Sequence, residues 1–317
     1  MLAGMLGGTI KPMEPVSRKD PFDSAKHVFE VKWDGVRTLA FCERHAVRLQ
    51  NRNLHDRTVQ YPELQCLSSI LEGKQALLDG EVIALREGRP SFFDVMRRDA
   101  CRTPDQARRV SRVIPVSFMI FDILALDGKS IANRPLSERK QLLAGALAKA
   151  EPPVYAVDYY PNDGKALYRV AGDRGLEGIV AKEWSSPYVM GRKSPYWVKV
   201  KHSKKQACVV GGYTSGAGGS VSLLAGAYAG GILRYIGRVG SGISSADSSR
   251  LVPALSSIHL AGPALEGTPT MRDAVWVEPV LTFVAQFYEW TEDFKMRSPV
   301  FVGFSDLRPD ECTVPEG

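Results

Sequence analysis

The sequence lacks any run approaching the ~18 apolar residues of a membrane-crossing helix, and its apolar opening MLAGMLGG has neither a basic leader nor a long apolar stretch behind it. Neither a membrane span nor a secretory signal is expected. It also lacks a CxxC pair. The five cysteines (Cys42, Cys66, Cys101, Cys208, Cys312) are odd in number and scattered, which argues against a disulfide framework or a zinc ribbon and fits a reducing cytosol. The five histidines show no ligand spacing, and there is no internal repeat. What remains is globular material, 44% hydrophobic and 24% charged over 317 residues, enough for two modest domains. Lys plus Arg exceed Asp plus Glu by 41 to 35 for a net +6, a balance that suits a polyanionic partner without selecting one.

Through about Lys201, short β-rich runs alternate with amphipathic helices; beyond it the chain is Gly- and Val-rich with little helical period until a poorly patterned stretch near 244 to 258. The hydrophilic KHSKKQ at 201 to 206 is a plausible hinge, giving domains 1–203 and 204–317. In the first, Pro62 opens a helix whose Leu64, Leu67, Ile70 and Leu71 face a core, Ser137 caps a second helix running to about Lys149, and a third over 164 to 174 ends against Gly175. In the second, Ala207 to Tyr213, Val221 to Tyr228, Ile232 to Val239, Val275 to Phe287 and Phe301 to Leu307 read as strands, a count compatible with a small Greek-key barrel such as the OB-fold.

Strand alternation shows which side chains emerge together. In Val28-Phe29-Glu30-Val31-Lys32, Phe29 and Val31 take one face and Glu30 and Lys32 the other, ahead of a turn at Asp34 and Gly35. Alone, this is the pattern of a surface ion pair. Leu78 to Ala84 adds Asp79, Glu81 and Ile83 on one face of an otherwise apolar strand, where acids need a partner or a metal unless the strand is a solvated edge. Phe118 to Leu124 is core-forming, with Phe121 as either packing or a ring under a purine. In Leu176 to Lys182, Glu177 is followed by Gly178, which lets the backbone bend or approach a ligand; Glu177 and Lys182 have opposite parity, so a regular strand could not aim both at one pocket. Trp197, Lys199 and Lys201 share a face, and two ammonium groups ~7 Å apart repel unless an anion lies between them.

The order and spacing of these segments resemble the covalent nucleotidyltransferases: K-x-D-G-x-R at 32 to 37, D-G-E at 79 to 81, F-D at 121 to 122, E-G-x-V-x-K at 177 to 182 and K-x-K at 199 to 201. Within that superfamily, FEVKWDGVR, the Trp276-Val277-Glu278-Pro279 block and EWTEDFKMRSPVFVGFSDLRPDE look most like the ligase module of bacterial end-joining DNA ligases, over nearly the whole chain. The resemblance implies an α+β fold, an ATP-grasp-like nucleotidyltransferase domain of antiparallel sheets and helices followed by an OB-fold barrel. It implies that Lys32 takes AMP from ATP, expels pyrophosphate and passes AMP to a DNA 5′-phosphate. An amine of reference pKa ~10.4 is mostly protonated at neutral pH, so cationic neighbours, here Lys199, Lys201 and Mg²⁺ or Mn²⁺, are needed to favour its free base. By the same resemblance Glu30 accepts from the adenine amino group, Phe121 stacks on the ring, Arg37 and Arg52 contact ribose or phosphates, Glu81 and Glu177 hold the metal, Lys182 belongs to the nucleotide site, and Asp34 serves transfer to DNA.

Two motifs depart from the family. Gln50-Asn51-Arg52-Asn53 stands where Ser-Arg-Asn-Gly is usual, a loss of glycine that asparagine tolerates. Arg308-Pro309-Asp310-Glu311 ends in an acid where R-x-D-K is common, so Arg308 and Asp310 carry over to orienting pyrophosphate and a lysine role at 311 does not. Self-adenylylation is expected to suffer more than sealing of preadenylylated nicks. Arg97, Arg98, Arg102, Arg108, Arg109 and Arg112 form a basic stretch able to follow a DNA backbone or to lie solvated, and Gly237 to Gly242 reads as a hairpin turn rather than a phosphate loop because no helix is evident after it. The expected partner is nicked or broken duplex DNA, with Ku or another end-binding protein; the chain is expected to be a minimal ligase, a monomer, cytoplasmic at the nucleoid. RNA ligation, GTP-using capping chemistry and a catalytically decayed DNA-end-binding module are the alternatives.

Overall fold

The computed structural model describes residues 8–216 and 220–314, so most of the apolar opening lies outside the described residues. The chain divides at His202/Ser203 into two compact units. The first contains β1 (Glu14–Ser17), β2 (Ser24–Lys32), β3 (Val36–Cys42), β4 (Val47–Asn51), β5 (Ala76–Arg86), β6 (Val116–Leu126), β7 (Gly178–Glu183) and β8 (Lys193–Lys201), with helices α1 (Phe92–Asp99), α2 (Pro104–Ser111), α3 (Leu136–Ala146) and α4 (Gly164–Asp173). One sheet runs β1-β8-β7-β2, with Tyr160–Asn162 beyond β2; the other runs β4-β3-β5-β6 with short strands at its margins. Pairing between the labelled strands is antiparallel apart from β1 with β8.

Alternation builds three apolar layers. From β3, Ala40 and Cys42 join Leu64, Leu67, Val95 and Leu143 under the helices, while Leu39 and Phe41 join Phe121, Leu124 and Trp197 in a second core. On β2, β7 and β8, Phe29, Ile179, Ala181 and Val200 pack with Ala171 of α4 in a third. Two positions differ from the sequence reading. Pro135 is the N-cap of α3 and makes no side-chain cap bond, so Ser137 sits inside the first turn, its N–H donating to the Trp184 carbonyl. Arg98 is fully buried: its guanidinium holds Glu63 with two bonds of 2.7 and 2.9 Å and also donates to the carbonyls of Gln60 and Ile114. It is therefore a core tie between α1 and the Pro62–Cys66 turn, not a DNA contact.

The second unit contains β9 (Lys204–Ser215), β10 (Val221–Ala229), β11 (Ile232–Val239), α5 (Ser245–Ser256), β12 (Ala274–Val277), β13 (Thr282–Phe287) and β14 (Val300–Ser305). The long β9 pairs with β10, with β13 over its first half and with β12 over its second, so one strand joins both margins of a curled sheet. The single strand expected over Val275 to Phe287 is two, separated by a segment containing Pro279, which has no N–H to give a ladder. A helix does follow Gly237 to Gly242, namely α5. Its first turn is closed by a capping box in which Ser244 accepts from the Asp247 N–H and Asp247 accepts from the Ser244 N–H, leaving a carboxylate where a phosphate would sit.

Arg98→Ala leaves a carboxylate and two carbonyls without their donor in a buried site; it is expected to cost about 3 kcal/mol or more. Arg108→Ala, which breaks an exposed pair with Asp105, is expected to cost under ~1 kcal/mol. Urea unfolding of the two variants checks the contrast.

Candidate active site

One face of the β2-β7-β8 sheet forms a wall of aligned rows. Glu30 lies opposite Val180, and Val180 opposite Lys199; one row further, Lys32 lies opposite Gly178, and Gly178 opposite Lys201. Lys182 and Trp197 are paired at the other end. Glu30, Lys32, Val180, Lys182, Trp197 and Lys199 of these rows line a single cleft with Arg37, Glu81 and Phe121 from the second sheet and Glu14, Trp33 and Arg52 at the rim. The strand rows thus bring Glu30, Lys32, Lys182 and Lys199 together with Arg37, Arg52, Glu81 and Phe121.

Glu177 corrects the parity reading. It precedes β7 and is not a strand residue, so it is not bound to the opposite face from Lys182. The backbone turns at Gly178, whose φ is +147° and where a Cβ would lie 2.1 Å from the Val200 carbonyl oxygen. That turn drops the Glu177 carboxylate between two strand ends, where Oε2 pairs with Lys32 Nζ and Oε1 with Lys201 Nζ at 2.6 Å. The anion required between the lysine pair is supplied by the protein itself, on Lys201. Lys199 has no carboxylate partner among the described residues; burial, then Lys201, Lys32 and Lys193, hold its amine below the ordinary lysine range.

The acids on β5 have separate fates. Asp79 is fully buried and accepts from Arg37 Nε and Nη2, both at 2.6 Å, and from the Tyr188 hydroxyl at 2.6 Å. Arg37 therefore reaches the cleft already neutralised, its guanidinium 4.5 Å from the Phe121 ring centroid. Glu81 stands at the cleft wall, where burial pushes its carboxyl up to about 7, opposed by Lys32 and Arg37 and reinforced by Glu177 and Asp34. Phe121 owes its place to a bulge: Asp79 pairs with Asp122 but Gly80 with Ile120, so Phe121 is the extra residue and turns toward the cleft. Asp122 is buried against Arg139 at 2.8 and 2.9 Å. Two partners escaped the sequence reading. Tyr188 sits in a loop and had no period to reveal it. Lys140, on α3, lies 2.5 Å from Glu30 Oε1, opposite Lys182 at 2.6 Å from Oε2.

Arg308 and Asp310 belong to the second unit, exposed and 3.5 Å apart. Glu311 caps their short turn by accepting from the Arg308 N–H at 2.7 Å, which gives the reversed charge a local use.

The folds of the two units and this cleft define a nucleotidyltransferase domain joined to an OB-fold domain. Family models for an ATP dependent DNA ligase domain and an ATP dependent DNA ligase C terminal region match residues 5–201 and 216–311, and the chain belongs to the ATP-dependent DNA ligase family. It is 33% identical over 296 residues to the multifunctional non-homologous end joining protein LigD of Mycobacterium bovis, covering 91% of this chain and 37% of that protein. The chain thus spans little more than a third of that relative. It is also 33% identical over 206 residues to the SPbeta prophage-derived DNA ligase-like protein LigB of Bacillus subtilis, covering 65% of this chain and 72% of the other. The solved structure of mycobacterial DNA ligase D complexed with ATP and MES superposes with a TM-score of 0.56 at 30% identity, covering 96% of this chain and 98% of that one. A Lig E DNA ligase shares the fold at a TM-score of 0.64 and 17% identity, covering 92% and 99%. Members of the family use ATP and form a covalent AMP intermediate. No helix among the described residues is long and apolar enough to cross a membrane.

Because the Glu81 carboxyl is raised in the folded chain, its ionisation works against folding: the penalty is absent below its unfolded pKa and grows as pH rises toward about 7. Glu81→Gln is therefore expected to gain stability relative to the parent between pH 5 and pH 8, by roughly 1–3 kcal/mol, read from denaturant midpoints across that range.

Proposed function

We propose that this chain joins DNA strands through a lysyl-AMP intermediate. The observation that carries this reading is the Glu177 carboxylate held between Lys32 and Lys201, with the unpaired Lys199 alongside. The Lys32 ammonium first gives one proton to solvent; the free amine then attacks the α-phosphorus of ATP through Nζ, the N–P bond forms, the bond to the pyrophosphate oxygen breaks, and the second proton on nitrogen leaves with the pyrophosphate. Lys199 and Lys201 balance charge on the phosphates, Glu30 accepts from the adenine amino group, Phe121 with Trp197 walls the base, Lys182 completes that end of the site, and Arg37 and Arg52 face ribose and phosphate. AMP then moves to a DNA 5′-phosphate, a step assigned to Asp34, and a 3′-hydroxyl displaces it. Arg308 and Asp310 are assigned to orienting pyrophosphate.

Glu81 and Glu177 are the candidate ligands for Mg²⁺ or Mn²⁺. Two carboxylates suit Mg²⁺, an ion usually held by one or two carboxylates with substrate phosphates and water completing its shell. Its contribution when bound would be neutralisation of phosphate charge during displacement. The mycobacterial relative is named for non-homologous end joining, which supports end joining as the pathway and broken duplex DNA as the substrate; an end-binding protein such as Ku is the partner proposed with that pathway.

Incubation with ATP and Mg²⁺ is expected to raise the intact mass by one AMP, and Lys32→Ala to abolish the gain; an unmodified parent chain would sink the reading. Glu311→Lys is expected to speed adduct formation while costing about 1 kcal/mol through the lost cap; an unchanged or slower adenylylation rate would remove the inference drawn from that position.

A further inference from the structure

The base end of the cleft contains a charge cluster larger than its motifs explain. Glu30, Lys182 and Lys140 are 2%, 2% and 4% exposed. Lys140 reaches the cluster from α3, outside every motif, so two ammonium groups share one carboxylate in a buried place where desolvation is costly. Burial, and among the charges Lys140, bring the Lys182 amine down to about 8, against the pull of Glu30 and Asp122. Lys140 Nζ stands 2.5 Å from Glu30 Oε1 and Lys182 Nζ 2.6 Å from Oε2, so the carboxylate is held from both sides. Lys182 Nζ stands 4.1 Å from the Phe121 ring centroid and 4.3 Å from that of Trp197. Lining the cleft beside these rings, the Glu30 carboxylate offers further acceptor lone pairs and the Lys182 ammonium further N–H donors, which fits an aromatic edge that carries one donor and one acceptor, as an aminopurine does.

We propose, resting on the adenylylation reading above, that Lys140 is a positioning residue that sets the base preference. It fixes Glu30 as an acceptor aimed at the 6-amino group of adenine, so that a 6-oxo purine would set acceptor against acceptor and be refused. Removing the Lys140 charge frees Glu30 to turn toward Lys182, and the amino group loses its partner. A merely structural role for Lys140 would weaken every purine nucleotide alike.

The test is calorimetric binding to the full chain without divalent ion, comparing ATP with purine riboside triphosphate, which has hydrogen in place of the 6-amino group. The parent is expected to bind ATP about tenfold more tightly than the analogue, the scale of one hydrogen bond to a charged group. Lys140→Met is expected to weaken ATP about tenfold and the analogue less than twofold, and Lys140→Arg to recover most of the ATP affinity. If Lys140→Met does not fold, Lys140→Gln gives the same comparison. Parallel weakening of both nucleotides, or no weakening of ATP, overturns the proposal. Since binding is read without the covalent step, failure of Lys32 to form an adduct is a separate result.

Discussion

The cleft depends on one carboxylate placed between two ammonium groups. Glu177 can reach both Lys32 and Lys201 because β7 lies between β2 and β8 and because Gly178 is paired with both lysines across the sheet. A side chain at 178 would meet the Val200 carbonyl at 2.1 Å, so the glycine is the condition for strand contact as much as for the turn. Without that contact the lysines would face each other across an open strand end, and their repulsion would push the site apart.

The same device recurs at the other end of the cleft, where Glu30 lies between Lys140 and Lys182. The two clusters differ in what surrounds them. At Glu177 each oxygen has its own short partner, and the neighbouring Lys199, without a carboxylate partner among the described residues, is suited to a phosphate. At Glu30 two buried ammonium groups share one carboxylate beside the Phe121 and Trp197 rings, which suits the polar edge of an aromatic base. On the proposed reading, one sheet face offers an anion-binding end and a base-binding end; in the structure Phe121 and Trp197 form the apolar wall between Arg37 and Lys182.

Much of this was legible in the sequence because β2, β5 and β8 are regular where it matters: period two put Glu30 with Lys32, Asp79 with Glu81, and Trp197 with Lys199 and Lys201 on shared faces. The reading failed where regularity fails. Glu177 lies before its strand, so its parity against Lys182 had no meaning. Phe121 points to the cleft by virtue of a bulge that no local pattern announces. Lys140 and Tyr188 act on acids more than a hundred residues away in sequence, and only the packing of α3 and of a loop against the sheets brings them there. The helix at 245 to 256 was masked by its serines and by Pro253, and is anchored by its cap rather than by a strong apolar stripe.

Charge alone misled most. Arg98 belongs to a basic run, yet it is buried with Glu63; Arg139 is buried with Asp122, and Arg37 with Asp79. Each of these cations has an acid of its own, so each holds the fold and adds little net charge to a surface. Lys199 is the reverse: half-buried beside two other lysines, with no carboxylate partner among the described residues and an amine depressed by burial and by those neighbours. Such an arrangement raises the free energy of the empty site and is relieved when an anion enters it. The cation that its own fold leaves uncompensated, rather than the densest basic stretch, is therefore the one that points to a phosphate.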